Sequence, residues 1–217
     1  MSDGHAAALA EQFEDLEQQH EASSLGMWVF LATEIMFFGG LFAGYTVYRG
    51  LHLAGFDAGS HLLNVKLGAF NTAVLLCSSL TMALAVRAAM LGKRRELITF
   101  LVLTILLGLT FVGVKLALEW HRDFEEHLVP GINFAYDGSN SRAVELFFVF
   151  YFFMTGVHAL HMVIGVAILA VLTWQAFHGR FGPERYNPVE MAGLYWHFVD
   201  VIWIFLFPLL YLIGAHH

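Results

Sequence analysis

Five long runs of apolar residues, separated by short polar segments, organise the chain. A helix needs roughly 20 mostly apolar residues to cross the hydrocarbon core of a membrane. Because that core offers no water to backbone groups, runs of this length are satisfied as helices. The sequence therefore predicts an all-α integral membrane bundle with five transmembrane helices, over residues 24–48, 67–91, 96–120, 144–177 and 191–213. The fourth run is longer than a crossing needs, which indicates a helix that tilts or projects into water.

The segment before the first run, residues 1–23, forms an acidic tail with six carboxylates and no Lys or Arg. It lacks the basic and apolar character of a signal peptide, so we expect none ahead of the first helix. Leu9, Phe13 and Leu16 have helical spacing, and this pattern favours a short amphipathic surface helix.

Composition supports the membrane assignment and argues against nucleic acid as a partner. Only 13% of the 217 residues are charged, and 58% are hydrophobic, whereas soluble domains carry about 25% charged residues. The net charge of −7 is concentrated in the tail. The membrane part is then close to neutral and has no basic surface of the kind that binds phosphates.

Basic residues in the short connections predict the orientation, because they are enriched on the cytoplasmic side. The side that holds the N-terminus carries Arg87, Lys93, Arg94, Arg95, Arg180 and Arg185. The opposite side carries Arg49, Lys66, Arg122 and Arg142. The Lys93–Arg95 cluster decides the balance, so we expect a cytoplasmic N-terminus and a periplasmic C-terminus.

Ionisable residues within the spans are costly in lipid and are therefore candidates for function. Glu34 lies in the middle of the first span, with no cation within one helical turn. Such a carboxyl group favours its protonated form, and it could handle protons or simply bond to a neighbouring helix or a lipid. Lys115 and Glu119 are four residues apart on the third span, a spacing that predicts an ion pair on one helix face.

Two pairs of polar residues lie on the last two spans, each at a spacing of one turn. His158 and His161 form one pair, and His197 and Asp200 form the other. Facing pairs of this kind could bind a metal or haem, or they could hydrogen-bond between helices. The Glu-x-x-His repeats of membrane-embedded diiron proteins are missing, and the residues alone favour interhelical hydrogen bonds.

Several motifs occur in a fixed order over residues 25–214. They are Gly26-Met27 with Glu34 and Phe37-Phe38, Asn71 to Leu76, Leu107-Gly108 with Lys115 and Glu119-Trp120, Thr155 to Gly165, and Glu190 followed by Tyr195 to Trp203. In this order the motifs resemble subunit III of the haem–copper respiratory oxidases, in its short five-helix bacterial form.

The resemblance implies a non-redox accessory subunit of a terminal oxidase in the bacterial inner membrane, where oxygen reduction to water is coupled to proton translocation. Such a subunit has no catalytic residues and binds no metal, since haem and copper are held by the catalytic subunit I. It implies structural phospholipid as a ligand, and Glu34 as a carboxylate near a lipid-holding cleft that supports proton uptake. A structural polar network would comprise Lys115, Glu119, His158, His161, Glu190, His197 and Asp200.

The chain departs from the family pattern at several points. Two N-terminal helices of the longer members are missing, and Gln175 stands where a basic residue is expected to meet a lipid phosphate. Residues 144–153 lack the usual Tyr-Gly-Ser opening of their helix, which leaves open an accessory subunit of a nitric oxide reductase. A stand-alone transporter and a membrane haem protein are further alternatives, although Pro208 is the only proline within a span. The electron donor, cytochrome c or quinol, is undetermined by this chain.

Overall fold

The computed structural model describes residues 16–138, 140–183 and 185–212, and every regular element within these ranges is helical. Five helical spans are long and apolar enough to cross a membrane: Glu17–Leu51, Val65–Met90, Arg94–Glu125, Ser141–Phe177 and Asn187–Leu212. The prediction of an all-helical chain with five spans is confirmed. Most of the acidic tail, including Leu9 and Phe13 of the predicted surface helix, lies outside the described residues.

The elements are numbered in chain order. The α-helices are α1 (Leu16–Leu51), α2 (Leu53–His61), α3 (Val65–Met90), α4 (Arg94–Val114), α5 (His121–Glu125), α6 (Ser141–Phe177) and α7 (Asn187–Phe207). Two π-helical segments are π1 (Lys115–Trp120), which joins α4 to α5, and π2 (Pro208–Leu212), which follows α7. The α6 helix has 37 residues, or about 55 Å at 1.5 Å per residue, so it extends well beyond a hydrocarbon core of roughly 30 Å.

The helices α3, α4, α6 and α7 pack together as the core of the bundle, and α1 lies against its outside. Only 11% of the apolar stretch of α1 is buried, compared with 50% for the last span. The C-terminal half of α1 packs through Phe38 and Tyr45, both 1% exposed. A cleft lies between the N-terminal half of α1 and the helices α6 and α7.

Small residues let the core helices approach closely around one tryptophan. A Cβ atom added at Gly108 of α4 would lie 2.7 Å from the Trp196 ring, and one added at Gly165 of α6 would lie 3.0 Å from it. Hydroxyl groups then fix α7 to α3. The indole of Trp196 donates to Ser78 at 2.9 Å, and that of Trp203 donates to Thr72 at 3.1 Å. Such close packing and interhelical bonding are how helices associate in lipid.

The short helix α2 was not predicted; it lies between α1 and α3 in the chain and packs mainly against α6. Gly55 packs against Ala143 at the start of α6, and Gly59 packs against the Phe147 ring. The next helix begins at Asn64, whose side chain accepts hydrogen bonds from the first backbone N–H groups of α3 at 3.1 and 3.2 Å. This is an ordinary N-cap, and it sets where the second span starts.

Candidate functional site

Glu34 faces the last two helices across the cleft beside α1. Its carboxylate Oε2 lies 3.2 Å from Nε2 of His161 on α6, and the two side chains are 20% and 14% exposed. Glu34 therefore has a partner that the sequence analysis assigned to a different group. The contact joins α1 to α6 at a point where the two helices otherwise touch little.

The His161 ring is held on three sides. Its Nδ1 lies 2.8 Å from the carbonyl oxygen of Val157, one turn earlier on α6. The Tyr195 ring lies roughly parallel to the imidazole, with 6.4 Å between ring centroids, and its hydroxyl donates to the backbone carbonyl of His161 at 3.0 Å. The Phe38 ring meets the imidazole edge-on, with 5.4 Å between ring centroids. These contacts orient Nε2 toward Glu34.

This orientation determines how many protons the pair can hold. A carbonyl oxygen only accepts hydrogen bonds, so Nδ1 of His161 carries a hydrogen. If Nε2 were unprotonated beside an ionised Glu34, a lone pair would face a carboxylate and the contact would be repulsive. The pair is stable when it holds one proton, either as imidazolium and carboxylate or as imidazole and carboxylic acid. Both forms are neutral overall, which suits a site within the hydrocarbon region.

The cleft has a volume of about 580 Å³ and is largely apolar. Its walls come from α1, α6 and α7, and include Met27, Phe30, Ile164, Ile168, Leu172 and Met191. Glu34, His161 and the hydroxyl of the buried Tyr195 provide the polar atoms at one end. The cleft is thus an apolar groove with a single proton-holding pair in its wall.

A second polar site lies in the core around the first π-helical segment. Lys115 and Glu119, on π1, are each 1% exposed, and the ammonium group donates directly to the Glu119 carboxylate. The same ammonium donates to the hydroxyl groups of Tyr151 on α6 and Tyr211 on π2. Its Nζ also lies 5.4 Å from the centroid of the Trp203 ring, a favourable cation–π distance. Every hydrogen of the ammonium therefore has a partner.

The network continues from Tyr151 to the surface. The Tyr151 hydroxyl donates to Asp123 at 3.1 Å, and Asp123 is fully buried. Arg122 donates to the other oxygen of Asp123 at 2.8 Å, and to the backbone carbonyl of Leu62 at 3.3 Å. The four residues Lys115, Glu119, Arg122 and Asp123 carry two cations and two carboxylates, so their charges sum to zero, and the half-exposed Glu126 lies at the edge, 3.7 Å from Arg122.

Four members of this network were not predicted as such by the sequence analysis: Arg122, Asp123, Tyr151 and Tyr211. Asp123 follows Glu119 by four residues, as Glu119 follows Lys115, and extending that spacing would have found it. The two tyrosines carry no such signal, because they come from helices distant in sequence.

The remaining candidates occupy separate places. His158 is 1% exposed, with ring centroids 5.4 Å from Phe111 and 5.2 Å from Trp203. Neither of its nitrogens has a hydrogen-bond partner among the described residues. His197 bonds through Nδ1 to the Ser79 hydroxyl at 2.8 Å and so joins α7 to α3.

Asp200 and Glu190 also lie apart from the cleft pair. Asp200 is buried on α7, at 3% exposed, with the already bonded Ser79 as its polar neighbour. Glu190 is half-buried in the first turn of the same helix. The two one-turn pairs therefore do not converge on one point, and within the described ranges no three His, Cys, Asp or Glu side chains are grouped as metal ligands.

Comparison with known proteins gives a consistent result over nearly the whole chain. Residues 15–215 match the family Cytochrome c oxidase subunit III. The chain is 30% identical to Cytochrome bo(3) ubiquinol oxidase subunit 3 of Pseudomonas aeruginosa, over 97% of this chain and 96% of the relative. It is 31% identical to Quinol oxidase subunit 3 of Bacillus spizizenii, over 92% of each chain. It is 32% identical to Cytochrome c oxidase subunit 3 of Thermostichus vulcanus, over 87% of this chain and 86% of the relative. The chain belongs to the cytochrome c oxidase subunit III family.

Proposed function

We propose that this chain is an accessory subunit of a haem–copper terminal oxidase, which reduces oxygen to water and translocates protons. The observation that carries this proposal is the family match over residues 15–215, together with relatives of nearly equal length that are named as oxidase subunits. Those names include both quinol and cytochrome c oxidases, so the electron donor of this complex is left open.

The chain contributes no redox centre in this proposal and acts by stabilising the catalytic subunit I, which holds haem and copper. The charged side chains around Lys115 support this role, because they pair with one another. Lys115, Glu119, Arg122 and Asp123 carry charges that sum to zero, and their network ties π1 to α6 and π2. We assign Glu190, His197 and Asp200 to the same structural function.

We propose that the five spans cross the bacterial inner membrane, so that the two ends of the chain lie on opposite sides of it. We propose that the N-terminus is cytoplasmic and the C-terminus periplasmic, since the Lys93–Arg95 cluster follows α3 on the N-terminal side. In this orientation the end of the cleft near Met27 faces the cytoplasm, the side from which an oxidase takes up its protons. Acidic residues 1–23 then form a cytoplasmic tail.

Glu34 is the residue we assign to proton uptake or to contact with lipid in the cleft. Its carboxylate is partly accessible from the cleft, and its contact with His161 holds a proton without net charge. Glu34 would modulate turnover of the complex and would not take part in the chemistry at the haem. The pair itself is the support for this assignment.

The test is a mild detergent purification through a tag on this chain, read by a reduced-minus-oxidised spectrum and by mass identification of its companions. We expect haem bands and a large haem–copper subunit in fixed ratio to this chain. Oxygen consumption by the preparation would identify a terminal oxidase, whereas nitric oxide consumption would favour the reductase branch. A colourless chain that remains alone when taken from native membranes would refute the proposal and direct attention to a stand-alone transporter.

A further inference from the structure

One end of the bundle, where α3 turns into α4 and α6 into α7, carries an excess of positive charge. Residues 87–96 contain four cations and one carboxylate, so their net charge is +3. Arg94 donates to the last carbonyl oxygens of α6, and Gly92 lies against Pro183 in the connection that follows α6. These contacts bring the two turns together. The surface they form is called the basic face, and its cations are Arg87, Lys93, Arg94, Arg95 and Arg180.

Most of this charge is not neutralised by a carboxylate. Arg87, Arg95 and Arg180 are exposed, and no ion pair joins any of them to a carboxylate in the part of the chain that the structure describes. Of the basic face, only Lys93 has such a partner there, at 2.9 Å. Arg94 is bonded to backbone oxygens, which carry no net charge. The basic face is therefore suited to a ligand with several negative charges.

The acidic N-terminal segment enters the bundle on the same side. Met27 of α1 lines the cleft together with Leu172 near the end of α6 and Pro188 at the start of α7, so these three positions lie at a similar depth. From that depth α1 continues back for eleven residues, whereas α6 continues for five before it ends, or about 16 and 8 Å. The start of α1 therefore projects past the end of α6, and it carries the exposed carboxylates of Glu17 and Glu21.

The length and charge of the segment fit the basic face. Residues 1–23 contain six carboxylates and no Lys or Arg. Helix α1 packs on α7, and α7 packs on α3, so the end of α3 lies two helix spacings from α1, or about 16–20 Å. Fifteen residues precede the described start of α1, and they can span up to about 50 Å. Attachment to the same chain also raises their local concentration at the basic face.

We propose that the acidic N-terminal segment, residues 1–23, docks on the basic face of its own chain and neutralises it. Anionic lipid headgroups carry the same charge, but they are not tethered, and a negatively charged membrane surface repels the acidic segment toward the cations of the chain. This interaction goes beyond the accessory role proposed above and does not depend on it. It needs only that the segment and the basic face share one side of the membrane, whichever side that is.

The test is carbodiimide crosslinking of the whole complex in phosphatidylcholine nanodiscs, which joins a carboxylate directly to a contacting lysine amine, followed by peptide mapping of this chain. Its three lysines are Lys93 on the basic face, Lys66 at the opposite end of α3, and Lys115, which is 1% exposed. We expect an amide between Lys93 and a carboxylate of residues 1–23, and none at Lys66. The amide between Lys93 and Glu96, whose atoms are 2.9 Å apart, shows that the reagent reached the basic face.

The yield of the Lys93 product should depend on charge. The triple variant Arg87→Gln/Arg95→Gln/Arg180→Gln should lower it by about fivefold at low ionic strength, the combined factor for three exposed ion pairs. The matched control Arg49→Gln/Arg142→Gln removes cations from the opposite side and should leave the yield unchanged. Salt at about 0.5 M should also lower the yield in the unmodified complex, because it screens exposed charges. That comparison holds even if the triple variant does not assemble.

Amides from residues 1–23 to other subunits alone would overturn the docking, as would a yield that neither salt nor the triple variant changes. Loss of the Lys93 product when phosphatidylglycerol is added to the nanodiscs would also overturn it, and would show that lipid headgroups occupy the basic face. The product forms within this chain and is read separately from haem content. Failure of the docking is thereby distinguished from loss of the haem–copper partner, which would refute the proposed function.

Discussion

Removing the charge of Lys115 should destabilise the protein strongly, because this ammonium neutralises the buried carboxylate of Glu119. Lys115 and Glu119 are each 1% exposed and Asp123 is fully buried. In Lys115→Met the network keeps Arg122 as its only cation, so one negative charge remains uncompensated in the core. Breaking a buried ion pair by removing one partner costs about 3–5 kcal/mol. The hydroxyl groups of Tyr151 and Tyr211 also lose the donor that they share.

The double variant Lys115→Met/Glu119→Gln separates charge imbalance from lost packing. It removes one cation and one anion, so the network is again neutral, and its cost should be clearly smaller than that of Lys115→Met plus Glu119→Gln. A coupling of up to about 3 kcal/mol is typical for residues in one network. The surface pair of Lys93 and Glu96 provides the control, since its atoms are 2.9 Å apart but its side chains are 53% and 51% exposed. Lys93→Met should cost at most about 1 kcal/mol.

The assay is the thermal midpoint for loss of the intact complex in one detergent, followed by the fluorescence of the buried tryptophans and by the haem-to-subunit ratio. We expect a large drop for each single core variant, partial recovery in the double variant, and almost no change for Lys93→Met. Single and double core variants with the same midpoint as the unmodified protein would refute the argument that the network is charged and mutually neutralising. Additive losses would show that side-chain packing, and not charge, sets the cost.

Three further substitutions test other parts of the structure. Glu34→Gln keeps the size of the side chain and can still donate to Nε2 of His161. The subunit ratio and haem content should therefore be unchanged, while turnover of the complex falls or decays sooner. Loss of the whole complex would make Glu34 a structural residue. Gly108→Ala places a Cβ atom 2.7 Å from the Trp196 ring, and overpacking of this kind costs about 1–3 kcal/mol, whereas Gly113→Ala meets no atom within 4 Å and should leave the thermal midpoint unchanged. Arg94→Met removes the bonds to the last carbonyls of α6, about 1.5–3 kcal/mol for a charged donor, and proteolysis of the connection after α6 should become faster.

Hydrophobic patterning was sufficient to predict the five spans, because crossing the membrane demands length and apolar character that no other element needs. The predicted runs omitted parts of the helices that leave the hydrocarbon core, such as the first turns of α1 and the last turns before Glu125. Helix α2 has no comparable signal. It is held by close backbone contacts at Gly55 and Gly59, which depend on the position of α6 and are invisible in a local pattern.

The candidate site was only partly predictable for the same reason. Glu34 and Lys115 stood out because a charge within an apolar run is conspicuous, and the spacing of Lys115 and Glu119 is local to one helix. The partners that give these residues their chemistry are distant in sequence. His161 is 127 residues from Glu34, and Tyr211 is 96 residues from Lys115. Pairings of this kind depend on how the spans are arranged around one another, which composition and spacing do not specify.

The π-helical segment at Lys115 explains why three charged residues on one helix can meet in the same core site. An α-helix turns about 100° per residue, so positions separated by four residues drift by about 40°, and Asp123 would point about 80° away from Lys115. The wider turns of π1, which close i to i+5 hydrogen bonds, reduce the rotation per residue and offset this drift. All three side chains of Lys115, Glu119 and Asp123 are accordingly buried. A change that restored a regular α-helix here would rotate Asp123 away from Tyr151 and break the hydrogen bond that links the Lys115–Glu119 pair to the Arg122–Asp123 pair. The irregular turn is therefore what makes a neutral four-charge network possible inside the bundle.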